Sequence, residues 1–160
     1  MIAIKTATRL LEDLFWPQFL KKGGCVFLAS TCPDRVVLDD SLPDRTSLES
    51  FHNHLHLLDA FRHGATLREE PFFDAEHPDF QAACAVGKTV AALWRAKLSH
   101  DFPSERFLVY FTAHNDPIVR FHVVRPGEPP WLEPSEWPED VAAGRVLVLP
   151  TGPVSADPAA

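Results

Sequence analysis

Apolar positions along the chain follow two periods, and each predicts a different kind of element. In residues 6–16, Leu10, Leu11, Leu14 and Phe15 fall at helical spacing, which predicts a helix that Pro17 interrupts. Gly23-Gly24 is read as the end of that region. Residues 25–29 are a short continuous apolar run and predict a buried strand. Residues 35–38 predict a second strand, and the turn signal Cys32-Pro33-Asp34 between the two suggests a hairpin. A second helix is expected from Pro43-Asp44-Arg45-Thr46 onward. Thr46 or Ser47 would cap it, with Glu49 at capping-box distance from Thr46. Leu48, Phe51, Leu55 and Leu58 would form its buried face, and Gly64 would end it.

The strongest helical pattern covers residues 79–100. Phe80, Cys84, Gly87, Ala91, Trp94 and Leu98 recur at steps of three and four, and Ala83, Gly87 and Ala91 are small enough to admit a neighbouring element closely. Residues 106–113 and 118–125 alternate with a period of two, as half-buried strands do. Their apolar sets are Phe107, Val109 and Phe111 on one strand and Val119, Phe121 and Val123 on the other. If both face the core, Phe111 must lie opposite Val119 and Val109 opposite Phe121, with Tyr110 and Arg120 paired on the other face. Beyond Pro126 the chain becomes rich in proline, so regular elements there must be short: a helix capped by Ser135 and ending before Gly144, then a strand over residues 145–149. Residues 151–160 read as a flexible tail. The sum is a single α+β domain over residues 1–150, a two-layer sandwich of a mostly antiparallel sheet with helices packed on one face.

Composition narrows the function without naming it. A chain of 160 residues can bury a full core without staples. The net charge of −7 argues against a nucleic-acid groove and against an anionic membrane surface, and suits a basic partner. The three cysteines, Cys25, Cys32 and Cys84, form no disulfide framework, and the first 22 residues lack the pattern of a secretory signal. A cytoplasmic location with reduced thiols is therefore expected.

Signals for catalysis are weak. Gly87-Lys88-Thr89 resembles the end of a phosphate-binding loop, but Ala82 stands where that loop requires glycine, and the tripeptide lies inside a helical pattern. No cofactor is expected. His52, His56, Asp59 and His63 would share one stripe of a continuous helix, and His52/His56 is a known ligand spacing. A small metal-binding protein or metal-dependent hydrolase using His52, His56 and Asp59 is thus the alternative reading. The commoner reading of such histidines is that they border an apolar face, so no high-affinity metal is expected.

The preferred reading rests on two acidic stretches that carry aromatics. One is residues 69–76, with Phe72 and Phe73. The other is residues 128–140, with Trp131, Glu133, Glu136 and Trp137 and no Lys or Arg. Aromatic anchors among carboxylates suit contact with a basic partner, although the commoner outcome, and the one expected for these rings, is that they turn inward to cover the core edges. The expected function is a non-enzymatic binding protein, an inhibitor or immunity-type protein for a basic partner.

Overall fold

The computed structural model describes residues 10–58, 76–114 and 116–152. A turn of wide helix, Leu10–Phe15, leads to a hairpin of β1 (Phe19–Lys22) and β2 (Cys25–Leu28). Next come α1 (Arg45–His52), β3 (His54–His56), α2 (Pro78–Asp101), β4 (Phe107–Ala113) and β5 (Pro117–Val123). A short helix, α3 (Pro138–Ala142), and β6 (Val146–Pro150) complete the order. The main sheet is antiparallel throughout, in the order β3-β5-β4-β6, and α2 lies across one of its faces. The chain is thus an α+β protein with two antiparallel sheets. Among the described residues, no helix is long and apolar enough to cross a membrane.

The face beneath α2 is dry. Phe107, Val109, Phe111, Val119 and Phe121 are fully buried against Val90, Ala91, Trp94 and Leu98 of α2. The β4–β5 register pairs Phe111 with Val119 and Val109 with Phe121, as the alternation requires. Gly87 permits the close approach of α2 to the sheet. A Cβ there would stand 2.6 Å from Cε2 of Phe111 and 3.4 Å from Leu57. Trp94 meets Phe19 and Phe121 edge-on, and its indole N–H donates to the Leu14 carbonyl at 2.8 Å, which ties the first turn to α2.

Several expectations are corrected. The strand that pairs with β2 is β1, not residues 35–38, which form no strand. Gly23-Gly24 is the two-residue turn of that hairpin, with φ of 58° and 78°, the left-handed values such a turn demands. Helix α1 is capped by Asp44, whose carboxylate accepts from the Ser47 N–H at 2.6 Å, and Thr46 binds Glu128 instead. Ser135 lies within a short 3-10 turn, Pro134–Glu136, and does not cap α3.

The correction to the length of α1 has a tertiary cause. The helical pattern of residues 48–58 does not propagate, because α1 ends at His52 and the chain enters β3 within two residues. Asn53 is fully buried, accepts from the Leu28 N–H at 2.9 Å and donates to the Val26 carbonyl at 2.7 Å. It thereby acts as an extra peptide group beside β2. Glu49, one turn earlier, is also fully buried and accepts from the N–H groups of Val26 at 2.6 Å and Val123 at 2.8 Å. Arg125 grips the same carboxylate with two nitrogens, at 2.7 and 2.8 Å. Burial raises the Glu49 carboxyl above the ordinary value, against the pull of Arg125 and both amides. These two side chains join the hairpin to the main sheet where no strand pairing does. Phe51, expected inside, is 56% exposed as a result.

Candidate binding groove on the second face of the sheet

Strand alternation sends Tyr110 and Thr112 of β4, and Arg120 and His122 of β5, to the face opposite α2. That face is polar but not open. Residues 124–137 form a strap that returns over it, and Tyr110 and His122 are buried beneath. The Trp131 ring meets Tyr110 edge-on, with centroids 5.4 Å apart, and the Arg120 guanidinium lies 3.7 Å over its face. Arg120 has no carboxylate partner among the described residues. One of its terminal nitrogens donates to the Ser50 carbonyl at 3.3 Å, and burial lowers the guanidinium to about 10.

Tyr110 and His122 are stacked and joined at 2.8 Å. The imidazole Nδ1 lies 2.9 Å from the Val123 carbonyl, which can only accept, so Nδ1 carries the hydrogen and Nε2 accepts from the phenol. Burial lowers the His122 imidazole below its ordinary value and raises the Tyr110 phenol above its own. Both groups are therefore neutral at physiological pH.

Where the strap leaves the sheet it opens a groove of about 480 Å³. Thr112 and His114, Pro129 and Pro130, and the run from Trp131 through Leu132 and Glu133 to Glu136 and Trp137 line it. The four sequence-predicted residues of the second acidic stretch are thus brought together. Trp137 is 41% exposed, and Val141 beside it on α3 is equally so. Trp131 is half-buried, so the expectation of inward-turned rings holds for it in part and fails for Trp137. Asp140 braces this end of the molecule, accepting from Arg145 Nε at 2.6 Å with His114 3.6 Å away. Among the described residues, Lys21 is directed to Glu105, Lys97 to Asp101, and Arg125 to Glu49 and Glu128. Glu133 and Glu136 have no Lys or Arg partner among the described residues.

A second cleft, of about 570 Å³, also pairs carboxylates with an aromatic: Glu12, Asp13 and Trp16. There the chain supplies its own cation, since Lys97 sits 5.2 Å over the Trp16 ring. Phe72, Phe73 and Asp59 fall outside the described residues, as does His63.

The histidine stripe is not formed. His52 closes α1 and packs against the rings of Phe27 and Phe51, while His56 stands on β3. His56 Nδ1 pairs with Asp116 at 2.6 Å, and the rings of His54 and His56 are 4.9 Å apart. The premise of one helical turn between His52 and His56 therefore fails. Among the described residues, no three His, Cys, Asp or Glu side chains are placed to hold a metal ion. The cysteines are free, and burial, aided by Glu49, pushes the Cys25 thiol up to about 11, which suits packing and not nucleophilic attack.

The Tyr110–His122 pair and the Arg120–Trp131 stack escaped the sequence reading. Their one signal is four polar or aromatic side chains in register on the face turned away from the predicted core. Comparison with known proteins yields no match among curated proteins and none among solved structures. A family model does match, across residues 3–155, and the chain belongs to the Uncharacterized protein PM0498 family.

Proposed function

We propose that this chain is a non-enzymatic binding protein, of the inhibitor or immunity type, whose groove takes a basic segment of a protein partner. The observation that carries the reading is an aromatic groove whose carboxylates, Glu133 and Glu136, meet no Lys or Arg among the described residues. A lysine or arginine entering there meets the Trp137 face and two carboxylates, and the net charge of −7 steers it inward. The strap provides a rim of prolines, rigid enough that little ordering entropy is lost on binding.

The test is titration of an oligolysine peptide followed by tryptophan emission. Wild-type protein should show a saturable change that weakens as salt rises. Trp137→Phe should shrink the signal, and Glu133→Gln with Glu136→Gln should weaken binding. An unchanged affinity in the double carboxamide variant would contradict the reading.

A further inference from the structure

We propose that the strap bearing the groove is held down by a proton-sensitive latch, Tyr110–His122, so that acid lifts the strap and dismantles the groove. This rests on the binding reading only for its consequence; the latch itself stands on geometry.

The latch is a directed chain of donors. The link to the strap is the Trp131 backbone N–H, which donates toward His122 Nε2 at 3.4 Å. The phenol donates to His122 Nε2 at 2.8 Å, and Nδ1–H donates to the Val123 carbonyl at 2.9 Å. The two contacts at Nε2, from the phenol and from the Trp131 N–H, depend on its free lone pair. A proton added there becomes a donor. It opposes the Trp131 N–H, turns the phenol oxygen into its acceptor and leaves the phenol hydrogen without a partner. A buried polar group so stranded is costly.

The charged surroundings do not rescue the cation. Arg125, at the root of the strap, opposes it, while Glu128 on the strap and Asp44 at the cap of α1 favour it, and burial outweighs both acids. From β4 the facing titratable group is Tyr110, itself influenced by Arg120 and Glu133. Strand β6 offers none, since Val146–Pro150 contains no titratable side chain. Charging His122 therefore requires water to reach it.

The strap is the cheapest part to move. Neither Pro134–Glu136 nor α3 buries a side chain, and Trp131 and Leu132 are only half-buried. The opposite face of the same strands is sealed by α2. Segments with few buried apolar contacts open first.

The sign follows from the lowered imidazole. The open strap exposes an ordinary histidine, near 6.5, which binds a proton more readily than the latched one. Opening is independent of pH above that value and grows as pH falls below it. The growth is up to about tenfold per pH unit, until the latched imidazole itself titrates.

Amide hydrogen exchange on the full chain, corrected for intrinsic rates, tests this. From about pH 7.5 to 6.5 the amides of Trp131, Leu132 and Trp137 should hold their protection. One unit lower they should lose up to about tenfold, while Val109 and Phe111 lose none. His122→Gln offers the phenol an acceptor that does not titrate, so strap protection should become flat with pH. Should that variant not fold, the wild type decides alone: the His122 ring, followed by NMR, must titrate below 6.5. A pH-independent strap, or His122 titrating at or above its ordinary value, overturns the latch. Oligolysine titrations at the same pH values separate the two ideas. Binding with a pH-flat strap sinks the latch and spares the binding reading; an acid-opened strap without binding at neutral pH does the reverse. His114→Gln, tested in parallel, removes the groove's own imidazole and should leave the pH dependence of strap protection unchanged; loss of that dependence in this variant would overturn the latch.

Discussion

The two faces of one antiparallel pair, β4 and β5, solve opposite problems. The face under α2 is built from Phe107, Val109, Phe111, Val119 and Phe121, all fully buried, and it is held by shape. The face under the strap carries Tyr110, Thr112, Arg120 and His122, and it is held by donors and acceptors that must match one by one. Non-directional packing tolerates loss by degrees. A directed chain of hydrogen bonds fails at a single link. The dry face should thus govern whether the protein folds, and the polar face whether the groove exists.

Trp94→Ala should produce the largest loss. It empties the centre of the dry face, separates Phe19 from α2 and leaves the Leu14 carbonyl without its donor. Chemical denaturation should register about 3–5 kcal/mol. Gly87→Leu should follow, at about 1–3 kcal/mol by overpacking, because the new side chain runs into the Phe111 ring. A neutral result there would mean that α2 is free to slide off the sheet. Tyr110→Phe should cost less, about 1 kcal/mol, since it removes one hydrogen bond and keeps the ring. Its effect on strap exchange should nevertheless exceed that of Gly87→Leu, in the reverse of their order in stability. If both substitutions loosen the strap in proportion to global stability, the two faces are not separate devices.

How much of this was legible in the sequence differs along the same divide. Helix α2 and the β4–β5 register follow from apolar spacing alone, because both elements bury one continuous face against each other. Strand β1 was not legible. Only Phe19 of its four residues is buried, and the following Gly23-Gly24 reads equally as a stop or as a hairpin turn. The extension of α1 through His56 was a false reading of a true pattern. Asn53 and Glu49 are bonded to the backbones of β2 and β5, which are distant in sequence, and those bonds break the helix where local spacing would continue it. Within the groove, Trp131, Glu133, Glu136 and Trp137 could be seen together because they are neighbours in sequence. The latch could not, because polar residues on alternate positions look solvated until a strap is known to cover them.

The central claim is that the groove, and no other surface, receives a basic segment. Calorimetric titration of oligolysine into wild type and Trp137→Ala, at low and high salt, addresses it most directly. Trp137 is 41% exposed, so its removal should change stability by no more than about 0.5 kcal/mol. The account predicts salt-sensitive binding to wild type and loss of at least about tenfold in affinity in the variant, as expected for an aromatic anchor at an interface. Equal affinity in both proteins, or binding indifferent to salt, would contradict it.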